Sequence, residues 1–208
     1  MGGDSGSHYF DDSPASASDE RTYSIPGPAG PLSIVSDTGV FSHGSLDKAT
    51  ELLLRVILTV PEPPPGDVLD IGCGAGPVAV LLAARFPERT VRAVDTNSRA
   101  VALCARNARA NGLDNLVATH PDEVPGDAVF SLVCSNPPIR IGKSGLHALL
   151  ERWFSRLSPG GHAYMVVGRH LGADSLQAWL NAQGWATERI GSSRGFRLLR
   201  SAARSAAG

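Results

Sequence analysis

Apolar positions recur along the chain in two alternating rhythms. Short, nearly continuous apolar runs such as Val68-Leu69-Asp70-Ile71 suit strands buried on both faces, and between them lie stretches with apolar residues at helical spacing. This pattern predicts helices over residues 48–60, 78–85, 98–111, 146–157 and 175–183, and strands over 67–71, 90–94, 116–119, 129–134 and 161–167. The remainder predicts a closing C-terminal hairpin. Upstream, residues 22–35 mix short apolar runs with Pro and Gly, the signature of a small β-ribbon at the domain edge. Strands alternating with helices of these lengths predict an α/β, Rossmann-like fold. Its seven-stranded, mostly parallel sheet carries helices on both faces. Ligands of such sheets bind beyond the carboxyl ends of the strands, where strand order reverses.

Composition bounds this picture. A chain of 208 residues, 42% hydrophobic, is long enough for one well-packed α/β domain, expected over residues 23–201. Residues 1–22 are small, polar and acidic, with Asp4, Asp11, Asp12, Asp19 and Glu20 against a single Arg21. They are expected to be a disordered tail, because they cannot bury enough apolar surface to offset their ordering entropy. Residues 202–208 are expected to be a second flexible tail. The start lacks a basic and apolar leader, and no apolar run is long enough to cross a bilayer, so a cytoplasmic protein is expected. Cys73, Cys104 and Cys134 are odd in number and lack paired ligand spacing, which predicts free buried thiols and no metal site. The net charge of −1 argues against a nonspecific nucleic-acid binder. It hides an asymmetry, for from Arg140 onward ten Arg or Lys face three acids. That third of the chain could present a positive face to a polyanion or simply carry solvated helix faces.

The run Asp70-Ile71-Gly72-Cys73-Gly74-Ala75-Gly76 places three glycines between a buried strand and a helix. Without Cβ atoms there, a ligand can rest directly on the main chain. Asp95 closes the next strand, a position from which an acid binds ribose hydroxyls. Nicotinamide sites share that acid, so Asp95 does not discriminate between cofactors. Asp70 does, because a carboxylate at the first strand's tip repels a pyrophosphate and suits the ammonium of an amino-acid-bearing sulfonium. The cofactor expected is therefore S-adenosylmethionine.

Ser135-Asn136-Pro137-Pro138-Ile139 follows the fourth predicted strand of the sheet. Two successive prolines belong neither to a central ladder nor to a helix interior, so the loop is stiff and its carbonyls are free to accept hydrogen bonds. Methylating an aryl amine needs such acceptors. The Asn136 side-chain oxygen and the Pro137 carbonyl could hold the two amino hydrogens and aim the nitrogen lone pair, so that positioning supplies most of the acceleration.

These pieces resemble the class I methyltransferases with an Asn-Pro-Pro motif, and within them the bacterial small-subunit ribosomal RNA guanine-N2 methyltransferases. The resemblance spans about residues 32–200. It rests on Gly39-Val40-Phe41-Ser42 with Leu46-Asp47, on the glycine loop, on Asp95, on Ser135 to Pro138 and on Leu157-Ser158-Pro159-Gly160-Gly161. It implies that Asp70, Gly72, Cys73, Gly74 and Gly76 hold the methyl donor with Asp95, that Asp122 lies near the adenine, and that Asn136 and Pro137 orient the amine. Phe41, Pro138 and Ile139 are then the substrate side of the site, with ribosomal RNA or the small ribosomal subunit as partner. Three features depart from the family. An aromatic residue that stacks on the target base usually follows the motif where Ile139 stands, an acid usually stands where Ser131 does, and an additional N-terminal domain is common. Adenine N6, a protein glutamine or a small natural product are the alternative acceptors, and a catalytically silent binding module is a reading of another class. Among other residues, Trp153 and Trp179 are assigned to packing, His43, His147, His162 and His170 to solvent or strand ends, and Arg194-Gly195-Phe196-Arg197 to a hairpin turn that could also grip RNA.

Overall fold

The computed structural model describes residues 18–40 and 44–204, without the side chain of Ile139. Its centre is a seven-stranded sheet of β3 (Asp67–Ile71), β4 (Val91–Val94), β5 (Leu116–Thr119), β6 (Phe130–Ser135), β7 (Leu157–Gly168), β8 (Thr187–Ser193) and β9 (Phe196–Ala202). Ahead of it, β1 (Arg21–Ile25) and β2 (Leu32–Ser36) form a separate antiparallel ribbon. The sheet order is β5-β4-β3-β6-β7-β9-β8. The chain therefore starts in the middle, builds outward to β5, returns to β6 beside β3 and builds out the other way. The reversal between β3 and β6 is the topological switch point. All neighbours pair in parallel except β9, which lies antiparallel between β7 and β8 as the closing hairpin.

Side-chain alternation along the strands divides the core in two. Val68, Leu132, Cys134, Tyr164, Val166 and Leu198 face one way, against α1 (Lys48–Ile57), α2 (Pro77–Arg85) and α3 (Ser98–Ala110). Leu69, Ile71, Val133, Met165, Val167 and Leu199 face the other way, against α4 (Gly142–Phe154) and α5 (Ala173–Ala182). Asp70 falls in the first set by the same alternation. A carboxylate thus points into an otherwise apolar layer between the sheet and the first helices.

The ribbon is fastened by two asparagines one helical turn apart. Asn107 of α3 accepts from Val35 N at 3.0 Å and donates to Val35 O at 2.8 Å, and Asn111 makes the same pair of contacts with Ser33 at 2.9 and 2.8 Å. A side-chain amide has the donor and acceptor of a peptide, so these residues satisfy the free edge of β2 as a neighbouring strand would. Asn107 also donates to Ala75 O at 2.8 Å and so ties the ribbon to the glycine loop.

Several boundaries differ from the sequence expectation. α4 begins at Gly142 rather than 146, because its first turn is solvent-exposed and shows no apolar rhythm, and it ends at Phe154 so that the chain can enter β7 at Leu157. β7 takes in the Ser158-Pro159-Gly160-Gly161 stretch as a bulge, visible as the jump from the Phe130–Leu157 pair to the Leu132–His162 pair. The stretch assigned to the acidic tail is anchored at its end. Ser18 Oγ and Asp19 N donate to Asp37 at 3.0 and 2.9 Å, Glu20 pairs with Arg106 at 2.7 Å, and β1 starts at Arg21. At the other end, β9 runs to Ala202 and Arg204 stacks over the Trp185 ring at 3.8 Å, so the folded part extends past the expected boundary at 201. The three cysteines are free and buried, Trp153 is fully buried, and Trp179 stacks on His147 with ring centroids 3.7 Å apart.

Candidate functional site

A cleft opens at the carboxyl ends of β3 and β6. Tyr23 of the ribbon, Asp47 and Thr50 at the start of α1, Asp70, the glycine loop and Asn136 all line it. The local sequence explains the convergence. Gly72, Gly74 and Gly76 all have left-handed φ values, 74°, 54° and 88°, which coil the backbone tightly between β3 and α2. At Gly76 a Cβ would also come within 2.5 Å of Cys104 Sγ, so no other residue fits there without displacing α3. Pro138 Cδ lies 3.5 Å from where a Cβ on Gly72 would stand, which places the proline loop directly against the glycine loop. Ser135 Oγ, donating to Ile71 O at 2.9 Å, joins the ends of the two strands.

Asp95 braces the loop from β4. Its Oδ2 accepts from Gly74 N and its Oδ1 from Asn97 N, both at 2.9 Å. Each oxygen keeps a further lone pair, enough for a vicinal diol. Asp70 is in the opposite condition. It is 2% exposed, and its Oδ2 has no hydrogen-bond partner among the described residues. Burial, more than the nearby Asp95 charge, pushes its carboxyl up to about 8, against one backbone hydrogen bond from Ala79. An orphaned acid in a cleft can take a cationic donor, and an amino-acid ammonium fits it.

Asn136 donates its side-chain amide to Asp47 Oδ2 and to Thr50 Oγ1, both at 3.0 Å. Its Oδ1 accepts nothing from the described residues, and the neighbouring Pro137 carbonyl is equally free. Asn136 lines the cleft, and the Pro137 carbonyl directly follows it in the chain. Asp122, expected near an adenine, is 71% exposed with its carboxylate on Arg152 at 2.9 Å, on the short turn after β5. Cys73 is buried, and its thiol is held well above the ordinary range by contact with Cys104 and by burial. Phe41 and His43, like the side chain of Ile139, lie outside the described residues, whereas Pro138 is exposed at the mouth. Asp47, Thr50 and Tyr23 were not among the predicted site residues. Asp47 directly precedes a helix, which marks it as a cap, but its second contact lies 89 residues away and leaves no local signal.

Residues 31–200 match the family model described as "Methyltransferase small domain". The chain belongs to that family. It is a methyltransferase of the class I fold, a family that uses S-adenosylmethionine, and the orphaned Asp70 oxygen and the glycine cradle are compatible with that cofactor. Among similar proteins, the uncharacterized protein YbxB of Bacillus subtilis is 35% identical over 172 residues, covering 81% of this chain and 84% of its own. Ribosomal RNA small subunit methyltransferase C of Pseudomonas entomophila is 37% identical over 158 residues, covering 72% of this chain but 45% of its own. A structure of the 16S rRNA N2 G1207 methyltransferase (RsmC) of T. thermophilus, in complex with AdoMet and guanosine, superposes with a TM-score of 0.78 at 25% identity, covering 92% of this chain and 52% of that one. This methyltransferase small domain protein thus spans about half the length of the ribosomal RNA methyltransferases it matches. No described helix is long and apolar enough to cross a membrane.

Proposed function

We propose that this methyltransferase acts on the exocyclic amine of a nucleobase, N2 of a guanine in ribosomal RNA, within the cytoplasm. The observation that carries the reading is Asn136 at the cleft, its amide nitrogen committed to Asp47 and Thr50 so that Oδ1 remains as an acceptor beside the glycine loop; the Pro137 carbonyl is the second acceptor of the proposal. An aryl NH2 has two hydrogens and a lone pair delocalised into its ring. Two fixed acceptors hold those hydrogens and turn the lone pair outward, toward the donor side of the cleft. S-adenosylmethionine supplies an electrophilic methyl group when bound. Asp70 Oδ2 would accept from its ammonium and Asp95 from its ribose hydroxyls, while Gly72, Cys73, Gly74 and Gly76 would let it lie on the backbone. Pro138 would border the base. The turn carrying Asp122 would lie on the adenine side of the donor. No strong base is required, because an N-methylated aryl ammonium is acidic enough to lose its proton to water.

A polyanionic acceptor is favoured by the rim. Arg140 and Lys143 follow the proline loop, Arg169 and His170 follow β7, and Arg194 sits in the β8–β9 turn, which Arg169 N joins by donating to Gly195 O at 2.7 Å. All five are exposed at the carboxyl end of the sheet, and Arg140, Lys143 and Arg169 have no acidic partner among the described residues. Near-neutral overall charge thus coexists with a basic edge around the cleft. The test is transfer of labelled methyl from S-adenosylmethionine to protein-free ribosomal RNA and to intact small subunits, followed by nucleoside analysis. N2-methylguanosine is the expected product. No incorporation into either, with the donor bound by calorimetry, overturns the reading.

A further inference from the structure

Asp47 Oδ2 receives three donors. Thr50 N at 2.9 Å makes it the cap of α1, Thr50 Oγ1 donates to it at 3.2 Å, and Asn136 Nδ2 reaches it at 3.0 Å from the far side of the cleft. Thr50 Oγ1 commits its single hydrogen to Asp47 and so offers Asn136, 3.0 Å away, only lone pairs. Asn136 is therefore bounded on one side by acceptors alone. The two ends of a carboxamide are nearly equal in shape, and an unsupported asparagine in a cleft can turn either end to a ligand. Here the reversed orientation would press Oδ1 against two oxygens.

We infer that Asp47 is a positioning residue that fixes the amide of Asn136 so that its oxygen, not its nitrogen, meets the acceptor substrate. The consequence for selectivity rests on the reading of Asn136 given above. With Oδ1 outward, the site accepts a group that brings hydrogens, an amine. With Nδ2 outward it would repel one and favour a carbonyl. The cap does not itself require an acid, because Ser and Asn cap helices about as well as Asp. The link to Asn136 can therefore be cut without losing the helix start.

Two variants and two readouts test this. Asp47→Ser keeps a cap and is too short to reach Asn136, whereas Asp47→Asn keeps an acceptor oxygen at the same reach. The first readout is the side-chain amide resonance pair of Asn136 in the full chain, which needs neither donor nor acceptor. In Asp47→Ser these resonances should shift and exchange with water faster, while in Asp47→Asn they should stay near the wild-type positions. Unchanged resonances in Asp47→Ser overturn the inference whatever the acceptor proves to be. The second readout is turnover. Asp47→Ser should lower kcat by about tenfold or more with donor affinity unchanged, Asp47→Asn should recover most of the loss, and Asp47→Ser combined with Asn136→Ala should be no slower than Asn136→Ala alone. Additive losses, or equal losses in the two Asp47 variants, would show a purely structural role and reject the inference. Melting temperatures of both variants within a few degrees of wild type exclude unfolding as the cause, and should Asp47→Ser melt early, Thr50→Val replaces it and should give a smaller loss of the same sign. Full turnover in Asn136→Ala would instead defeat the proposed function and leave the resonance test of Asp47 standing.

Discussion

Asp37 and Asp70 are both buried, 5% and 2% exposed, and their surroundings have opposite effects. Asp37 sits where the ribbon meets α3. Burial works against its charge, but hydrogen bonds from Ser18, from Arg99 at 2.6 and 3.0 Å and from the Asp19 and Thr38 backbone outweigh it and hold the carboxyl down at about 2. Asp70 has one backbone hydrogen bond, an empty oxygen and a second acid nearby, and it is pushed up to about 8. The ribbon junction is complete in the chain alone. The cleft leaves one carboxylate oxygen without a partner among the described residues, and the comparison separates a carboxylate that holds the fold from one to which the proposal assigns the methyl donor.

Variants can sharpen or break that contrast. The largest effect is expected at Asn136→Ala, where turnover should fall about a hundredfold or more while donor affinity and melting temperature stay near wild type. If stability falls with turnover, the cleft is part of the scaffold and the contrast fails. Asp70→Asn should weaken the methyl donor about tenfold or more, the effect of losing a charge-assisted hydrogen bond. The same variant should melt no earlier than wild type at pH 8, since it removes a buried charge. Equal donor affinity in calorimetry would reject the assigned role.

The pH dependences carry opposite signs. Asp37, lowered from 3.8 to about 2, contributes stability that is present above pH 4 and lost as pH falls toward 2. Asp70, raised from 3.8 to about 8, contributes a term that is fully present below pH 4 and lost as pH rises toward 8. Binding of a cation therefore expels the Asp70 proton below pH 8. Donor affinity should climb by up to about tenfold per pH unit between pH 6 and 8, with proton release in calorimetry and a flat profile in Asp70→Asn. Proton-neutral binding at pH 6.5 would show that Asp70 is already ionised. Asp37→Ala, which removes the acceptor of two Arg99 hydrogen bonds, should lower the melting temperature by several degrees and leave kcat alone in the folded fraction. The smallest effect is expected from Lys143→Ala. It should reduce the slope of log affinity for RNA against log salt by about one, and an unchanged slope would remove Lys143 from the contact surface.

Residues that announce themselves by local pattern were legible in the sequence. β3 and β5 occupy the predicted positions, and the glycine loop and the Asn-Pro-Pro loop meet at the cleft as their places after two strands require. Elements without a local rhythm were not. The exposed first turn of α4, the bulged entry into β7 and the anchoring of Ser18 to Glu20 depend on which neighbours the sheet brings to them.

The same division runs through the site. The sequence by itself determined the residue types the chemistry needs, the strand ends that carry them and the α/β order that makes those ends converge, because glycine coiling, proline stiffness and apolar periodicity act over a few residues. The tertiary structure alone decided which carboxylate remains unpaired and which way Asn136 turns. Both depend on contacts made across the sheet, such as Asp47 with Asn136 over 89 residues, where packing sets hydrogen-bond partners that no local pattern records.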